Sequence, residues 1–323
     1  MVQPKPLPLE RAPGASRPLA EVGVCSTRPN PTPWTGEAGI DTIKLLYETT
    51  NYGASRFQID ELEGWQLGSM PGIGLTWAEG HPLPGGLAGS AETAAAVALV
   101  RECVDDRFEV RRDRGVSRLD STATVAFERQ PEARAFLAGM AATQLPRCET
   151  TRRGHPVHSI SWTHAQGARK LARCYDKGLE RGGEAFRFAR LEDQRRFGSS
   201  RHPPAEVVVE PGYARGRFVA RFGPIRKQVQ GVKAATFPVI AQALADEARY
   251  GYRDVREVER LAGALVVLSG GAAEAYKRST YYNRRAELRT AGYVVVDDQV
   301  EAVEVDLGQL VDEALESPEW ACA

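Results

Sequence analysis

The sequence predicts an α+β protein: an antiparallel sheet with helices on one face, followed by a mainly helical C-terminal region. Three observations carry this. The centre of the chain reads strand–helix–strand–helix and then runs into further strands from residue 157 to 222, broken by a Gly/Ser/Arg/Pro loop at 198–204. Its strand segments alternate apolar and polar residues, the period-2 pattern of a sheet with one packed face. After about residue 235 the apolar period lengthens to that of helices.

Residues 1–36 are punctuated by Pro, Gly, Ser and Arg and are expected to be disordered. Order begins with a strand at Gly39–Tyr47, and Gly72–Trp77 reads as another before a Pro/Gly loop. Ser90–Val104 is expected as an alanine-rich helix with Ser90 at its N-cap, and Pro131–Ala142 as a second with proline in its first turn. Beyond the strands, helices are expected at Pro238–Tyr250, Val255–Leu268 and Ala272–Thr290. The last two, joined through Ser269-Gly270-Gly271, read as an αα-hairpin or helix-turn-helix, with Val294–Val296 starting a wing. The expected divisions are thus 1–36, 37–235, 236–296 and an acidic tail at 297–323.

Three strand segments hold residue types that a plain sheet would not select. In Val116–Phe127, Leu119, Ala123, Val125 and Phe127 form one face, and Arg118, Asp120, Thr122 and Thr124 the other. Aspartate is depleted in strands, so Asp120 is either solvated, paired with Arg118, or aimed across the sheet as a metal ligand. In Ala172–Glu180, Tyr175 and Lys177 would share a face of an extended strand. A phenol beside a fixed ammonium can attack a phosphodiester, although a strand tyrosine is more commonly core or surface. In Phe186–Gln194, Phe188, Arg190 and Glu192 share a face. Asp120 and Glu192 are hard oxygen donors suited to Mg²⁺ or Mn²⁺.

In this order the segments resemble the rolling-circle replication initiators of phages and plasmids, the family of the filamentous-phage nicking protein and related plasmid replication proteins. The matching residues are Ser117-Arg118-Leu119-Asp120, Tyr175-Asp176-Lys177 with Glu180, and Arg190-Leu191-Glu192. A weaker match is Ser279–Leu288 followed by Gly292. The resemblance spans roughly residues 39–295, with its motifs concentrated between 116 and 194. It implies a nickase that joins one strand of origin DNA to Tyr175 through a 5′-phosphotyrosine and frees a 3′-hydroxyl for polymerase. Asp120 and Glu192 would hold the metal, Glu180 would be a further ligand or support one, and Lys177 would stabilise developing charge. The resemblance departs at the His-hydrophobic-His metal triplet that many relatives carry. Here His158 and His164 alternate onto one strand face, from which either is a candidate ligand, or they are loop histidines near a turn.

The formal net charge is zero, but the charge is unevenly placed. From Arg101 to Lys233 there are 27 Lys and Arg against 16 Asp and Glu, while the last 27 residues hold nine acids and no Lys or Arg. An arginine-rich centre suits phosphate, so nucleic acid is the expected partner. The candidate DNA contacts are Arg118, Arg173 and Arg190 in the centre and Arg278, Arg284 and Arg285 on the last helix. Tyr281 and Tyr282 on that helix are rival nucleophiles that lack a carboxylate strand nearby.

Five scattered cysteines show neither Cys-x-x-Cys nor disulfide-scaffold spacing, and no run approaches a membrane span, so the cytoplasm of a bacterial host is expected. The partners implied are single-stranded and duplex origin DNA and the host helicase, polymerase and single-strand-binding protein. Two alternatives share these features: a non-enzymatic origin- or operator-binding regulator, and a metal-dependent nuclease that uses water and needs Asp120 and Glu192 but not Tyr175.

Overall fold

Strand alternation in the sequence becomes one large sheet in the computed structural model, which describes residues 37–50, 57–58, 63–70, 73–83, 86–154, 156–165, 169–180, 187–269, 277–296, 302–317 and 320. The expected disordered segment 1–36 and the Gly270-Gly271 joint lie outside the described residues.

The sheet is built from β1 (Ala38–Thr49), β2 (Phe57–Gln58), β3 (Gln66–Met70), β4 (Leu75–Gly80), β5 (Val110–Ala126), β6 (Cys148–Arg153), β7 (Ser159–His164), β8 (Lys170–Asp176) and β9 (Phe188–Arg196). Its order is β2-β3-β4-β1-β5-β9-β8-β7-β6, antiparallel at every pairing. Each strand buries its apolar set on one side. Ile43, Leu45, Leu119, Ala123, Leu191, Ala189, Cys174, Ala172, Ile160 and Trp162 enter a single core.

Helices complete that core, as the fold class requires. α1 (Ser90–Arg107) contributes Val97, Val100 and Val104, and begins after Gly89 at the N-cap position, one residue earlier than the expected Ser90 cap. α2 (Gln130–Ala141) starts one residue before the expected Pro131, closed by Glu132 folding back on Arg129. After β8 comes a single turn, α3 (Lys177–Glu180).

The expected strands beyond residue 204 are instead helices: α4 (Ala205–Val208) and α5 (Tyr213–Val229). Phe218, Phe222, Ile225 and Val229 recur at spacings of four, three and four, which places them on one helical stripe facing the sheet. Phe222 meets Trp162 edge-on at 6.4 Å, and Phe218 packs at a tilt against Trp320 at 5.1 Å. Burial of each such ring stabilises the fold by about 1.5–3 kcal/mol.

Beyond α5 lie β10 (Lys233–Thr236), α6 (Phe237–Arg249), α7 (Val255–Ser269), α8 (Arg278–Thr290), β11 (Tyr293–Val296), β12 (Glu304–Asp306) and α9 (Leu307–Glu316). The apolar run Val294–Val296 is no exposed wing. It is buried as β11 and pairs parallel to β10, which pairs antiparallel to β12. This small sheet partitions two cores. Ala234, Val294, Val296 and Val305 face the main core, while Ala235, Tyr293 and Val295 face a second one formed by Ile240, Leu244, Leu261, Leu265 and Leu288.

The segment from Asp297, acidic in composition, supplies β12 and α9 to the main core. Leu307, Val311, Ala314, Leu315 and Trp320 are buried there. A Cβ at Gly139 of α2 would stand 2.5 Å from Leu307, so glycine is what lets α2 and α9 approach. The acids occupy the outer side, where Arg226 pairs with Asp312 at 2.6 Å and Glu316 at 2.8 Å.

Candidate active site

Arg118, Asp120, Thr122, Thr124, Arg173, Tyr175, Arg190, Glu192 and Gln194 lie on the side of the sheet away from the main core, where the register arranges them in rows, whereas Asp176 and Asp193 take the core side. One row runs Arg153, Ser159, Tyr175, Arg190, Thr124 across β6, β7, β8, β9 and β5. The next runs Thr151, Ser161, Arg173, Glu192, Thr122, and the third includes Gln194, Asp120 and Thr42. Tyr175 and Glu192 are therefore diagonal neighbours, as are Glu192 and Asp120. That is the reach over which long side chains meet on a sheet.

They do meet. The Tyr175 hydroxyl donates to Glu192 Oε2 at 3.1 Å, and Arg173 Nη2 donates to Glu192 Oε1. Arg118 Nε and Nη2 hold Asp120 at 3.1 and 2.5 Å, while its Nη1 reaches Glu79 Oε1 at 2.7 Å. Lys44 takes the other Glu79 oxygen at 2.7 Å and lies 4.0 Å over the Trp77 ring. That ring covers Gly68, where a Cβ would stand 2.4 Å from it. Gln194 closes the group, its amide oxygen turned to accept from Arg118 Nε at 3.1 Å. Beside Tyr175, Arg190 donates to Thr124 Oγ1 at 3.2 Å and to Asp41 Oδ1 at 3.1 Å. Asp41 lies at a register shift between Ile40 and Thr42, and such a bulge re-aims a side chain.

Both carboxylates are nearly inaccessible, at 1% for Asp120 and 1% for Glu192, and Tyr175 is 9% exposed. Burial pushes the Asp120 carboxyl up to about 6, the Glu192 charge adding to the rise and Arg118 opposing it. For Glu79 burial again favours the neutral form, but Lys44 and Arg118 outweigh it and hold the carboxyl below its ordinary value. Burial disfavours charge on Arg173 as well, yet Glu192 more than offsets it and raises the guanidinium pKa.

Tyr175, Asp120 and Glu192 come together as the motifs suggested, and Lys177 joins them from a different element. β8 ends at Asp176, so Lys177 opens α3 instead of extending the strand, and its Nζ lies 5.9 Å over the Tyr175 ring. Asp176 supports this turn: its Oδ1 accepts from Leu179 N at 3.0 Å. The Glu180 side chain lies outside the described residues.

The histidines do not join. His158 and His164 share the parity of Ile160 and Trp162, whose side chains enter the main core on the opposite side of the sheet. His158 acts instead on Asp176. Arg118, Arg173 and Arg190, expected as phosphate contacts, are each held by a carboxylate. On the C-terminal helix, Arg284 pairs with Glu287 at 2.7 Å, and Arg285 is exposed with its guanidinium 5.6 Å from the Tyr281 ring. The Arg278 side chain lies outside the described residues. Tyr281 packs against the second core, and Tyr282 is exposed beside it. Sequence reading missed Asp41, Lys44, Glu79 and Gln194. Their signal was a charged or amide residue on the polar register of a strand, as in Leu75–Gly80.

Asp120 and Glu192 present hard carboxylate oxygens on one face of the sheet. Two buried carboxylates, close enough for one charge to act on the other, suit Mg²⁺ or Mn²⁺, which is commonly held by one or two carboxylates with water and phosphate oxygens completing the shell. Among the described residues no group of three His, Cys, Asp or Glu side chains gathers for a metal. Asp120 and Glu192 would be the two protein ligands of such a cation, and each is engaged by a guanidinium here, Arg118 on Asp120 and Arg173 on Glu192.

The fold and this face define an α+β protein with a tyrosine–carboxylate cluster on the polar side of an antiparallel sheet. No family model matches the chain, and no curated protein sequence does. Among solved structures it is similar to the rolling circle replication initiator protein from Geobacillus stearothermophilus, at 12% identity and a TM-score of 0.32, over 58% of this chain and 85% of that one. No helix among the described residues is long and apolar enough to cross a membrane.

Proposed function

We propose that the protein is a replication initiator of the rolling-circle type, which nicks and rejoins one DNA strand through Tyr175. The observation that carries this is the bond from the Tyr175 hydroxyl to Glu192, with Asp120 the next carboxylate on the same face. The ordered Ser-Arg-Leu-Asp, Tyr-x-Lys and Arg-x-Glu motifs support it.

In this reading Tyr175 Oη attacks the scissile phosphorus while Glu192 takes the phenolic proton. The bond from phosphorus to the 3′-oxygen breaks, the 3′-oxygen takes a proton from solvent, and the 5′-phosphate remains as an ester of Tyr175. Attack by a 3′-hydroxyl reverses the step and rejoins a strand. Lys177 lies over the Tyr175 ring at 5.9 Å and stabilises the charge that develops on the phosphate, while Arg173 stays on Glu192. A divalent cation held by Asp120 and Glu192 would supply polarisation of the phosphate. Arg118, anchored by Glu79, orients Asp120. The partners are single-stranded and duplex origin DNA, with host replication proteins acting on the freed 3′-hydroxyl.

The test is cleavage of single-stranded origin DNA with Mg²⁺ or Mn²⁺. A denaturant-stable protein–DNA adduct is expected with the parent protein and lost in Tyr175→Phe. Cleavage without an adduct would favour a nuclease using water, and binding without cleavage a regulator.

A further inference from the structure

The polar face differs on the two sides of Tyr175. Towards β9, β5, β1 and β4 every cation of the cluster is committed: Arg190 to Asp41, Arg173 to Glu192, Arg118 to Asp120 and Glu79, Lys44 to Glu79. Four cations face four carboxylates there, so the cluster itself carries no excess charge, and the exposed Arg196 lies beyond it at the far end of β9. Towards the sheet edge the same rows continue onto β7 and β6 as Ser159 and Arg153, then Ser161 and Thr151. Among the described residues these four side chains make no hydrogen bond or ion pair, and all are at least partly exposed. The one acid on the two strands, Glu149, lies in the row beyond Thr151, two rows from Arg153.

We propose that the β6–β7 hairpin is where the phosphodiester backbone of the attacked single strand lies, with Arg153, Ser159, Ser161 and Thr151 as its contacts. This rests on the nicking reading above and adds a direction of approach. Hydroxyls and a free guanidinium are the groups that bind DNA backbone without reading sequence. Two interstrand spacings place the Arg153 backbone roughly 10 Å from that of Tyr175, close enough for the contacts to hold the phosphates next to the scissile one. Charge on an edge strand also blocks sheet-to-sheet pairing, which explains Arg152 and Arg153 but not the hydroxyls of the inner strand β7. The expected basic character of the centre thus acts at the sheet edge and not through Arg118, Arg173 and Arg190.

The experiment measures binding of a labelled oligothymidylate to the full chain carrying Tyr175→Phe, in chelator, over a range of salt. Arg153→Ala should weaken binding about three- to ten-fold and lower the salt slope by about 0.7, the value for one lost single-strand phosphate contact. The double variant Thr151→Ala/Ser161→Ala should weaken it about two- to five-fold without changing the slope. Lys227→Ala, the same charge change at an exposed site on α5, should leave both unchanged. Unchanged affinity and slope in both Arg153→Ala and Arg153→Glu would overturn the proposal. If the parent forms no adduct while Arg153→Ala still weakens binding, the nicking reading fails and the surface stands. If the adduct forms and Arg153→Glu binds normally, the reverse holds.

Discussion

Tyr175 and Glu192 are joined by a 3.1 Å hydrogen bond across two adjacent antiparallel strands, on the side of the sheet away from the main core. The phenol and its proton acceptor are thereby fixed by the sheet itself, and the remaining cluster follows from the same register.

Neutralising the carboxylates tests the second part of that cluster. Asp120→Asn and Glu192→Gln should each abolish cleavage and weaken Mn²⁺ binding, read by calorimetry or Mn²⁺ resonance, while the circular dichroism spectrum stays that of the parent. Wild-type cleavage by both variants at limiting Mn²⁺ would remove them as ligands.

Arg118 bridges two carboxylates, so its removal leaves the buried Asp120 without a cation and Glu79 with Lys44 alone. Arg118→Ala should lower stability by about 3 kcal/mol, the usual cost of stranding a buried ion-pair partner. Glu79→Gln should cost less, because Arg118 keeps Asp120 and Lys44 keeps partial access to water. Denaturant midpoints distinguish the two.

A chain ending at residue 235 should not fold. It would lack β11, β12, α9 and the following Trp320, which together bury Val294, Val296, Leu307, Val311, Leu315 and the Trp320 ring in the main core. Loss of the cooperative thermal transition, together with single-strand cleavage, is the expected result. A soluble, cleaving fragment would show instead that the nicking region is self-sufficient.

Alkaline pH should destabilise the protein through Tyr293, whose hydroxyl donates to Glu247 at 3.1 Å. Burial, then the Glu247 charge, pushes its pKa up to about 12. The unfolded chain releases this proton near pH 10, so between the two values the folded state holds more protons and stability falls as pH rises. Tyr293→Phe should flatten the decline between pH 10 and 11.5 by about 1 kcal/mol, measured by denaturant unfolding.

The fold class and the three site strands were legible because alternation in Val116–Phe127, Ala172–Asp176 and Phe188–Gln194 separates an apolar from a polar face. The same alternation shows which side His158 and His164 take once Ile160 and Trp162 are recognised as core. What stayed hidden depended on distant partners. β11 is buried because it pairs with β10, some sixty residues earlier, and nothing local in Val294–Val296 says so. In α5, Gly216, Gly223 and Pro224 mask the helical spacing of Phe218, Phe222, Ile225 and Val229. The arginines were legible as a cluster, but not as one already neutralised, since Asp41 and Glu79 reach them from strands far back in the chain.

The most direct measurement is the identity of the residue that carries DNA. Trypsin cuts after Arg173 and Lys177, so a nucleotide on Tyr175 would appear on the peptide Cys174-Tyr175-Asp176-Lys177 in a digest of the trapped adduct. Mass spectrometry should find the label there and nowhere else. A label on Ser279–Arg284, which holds Tyr281 and Tyr282, would contradict the assignment and move the chemistry to α8.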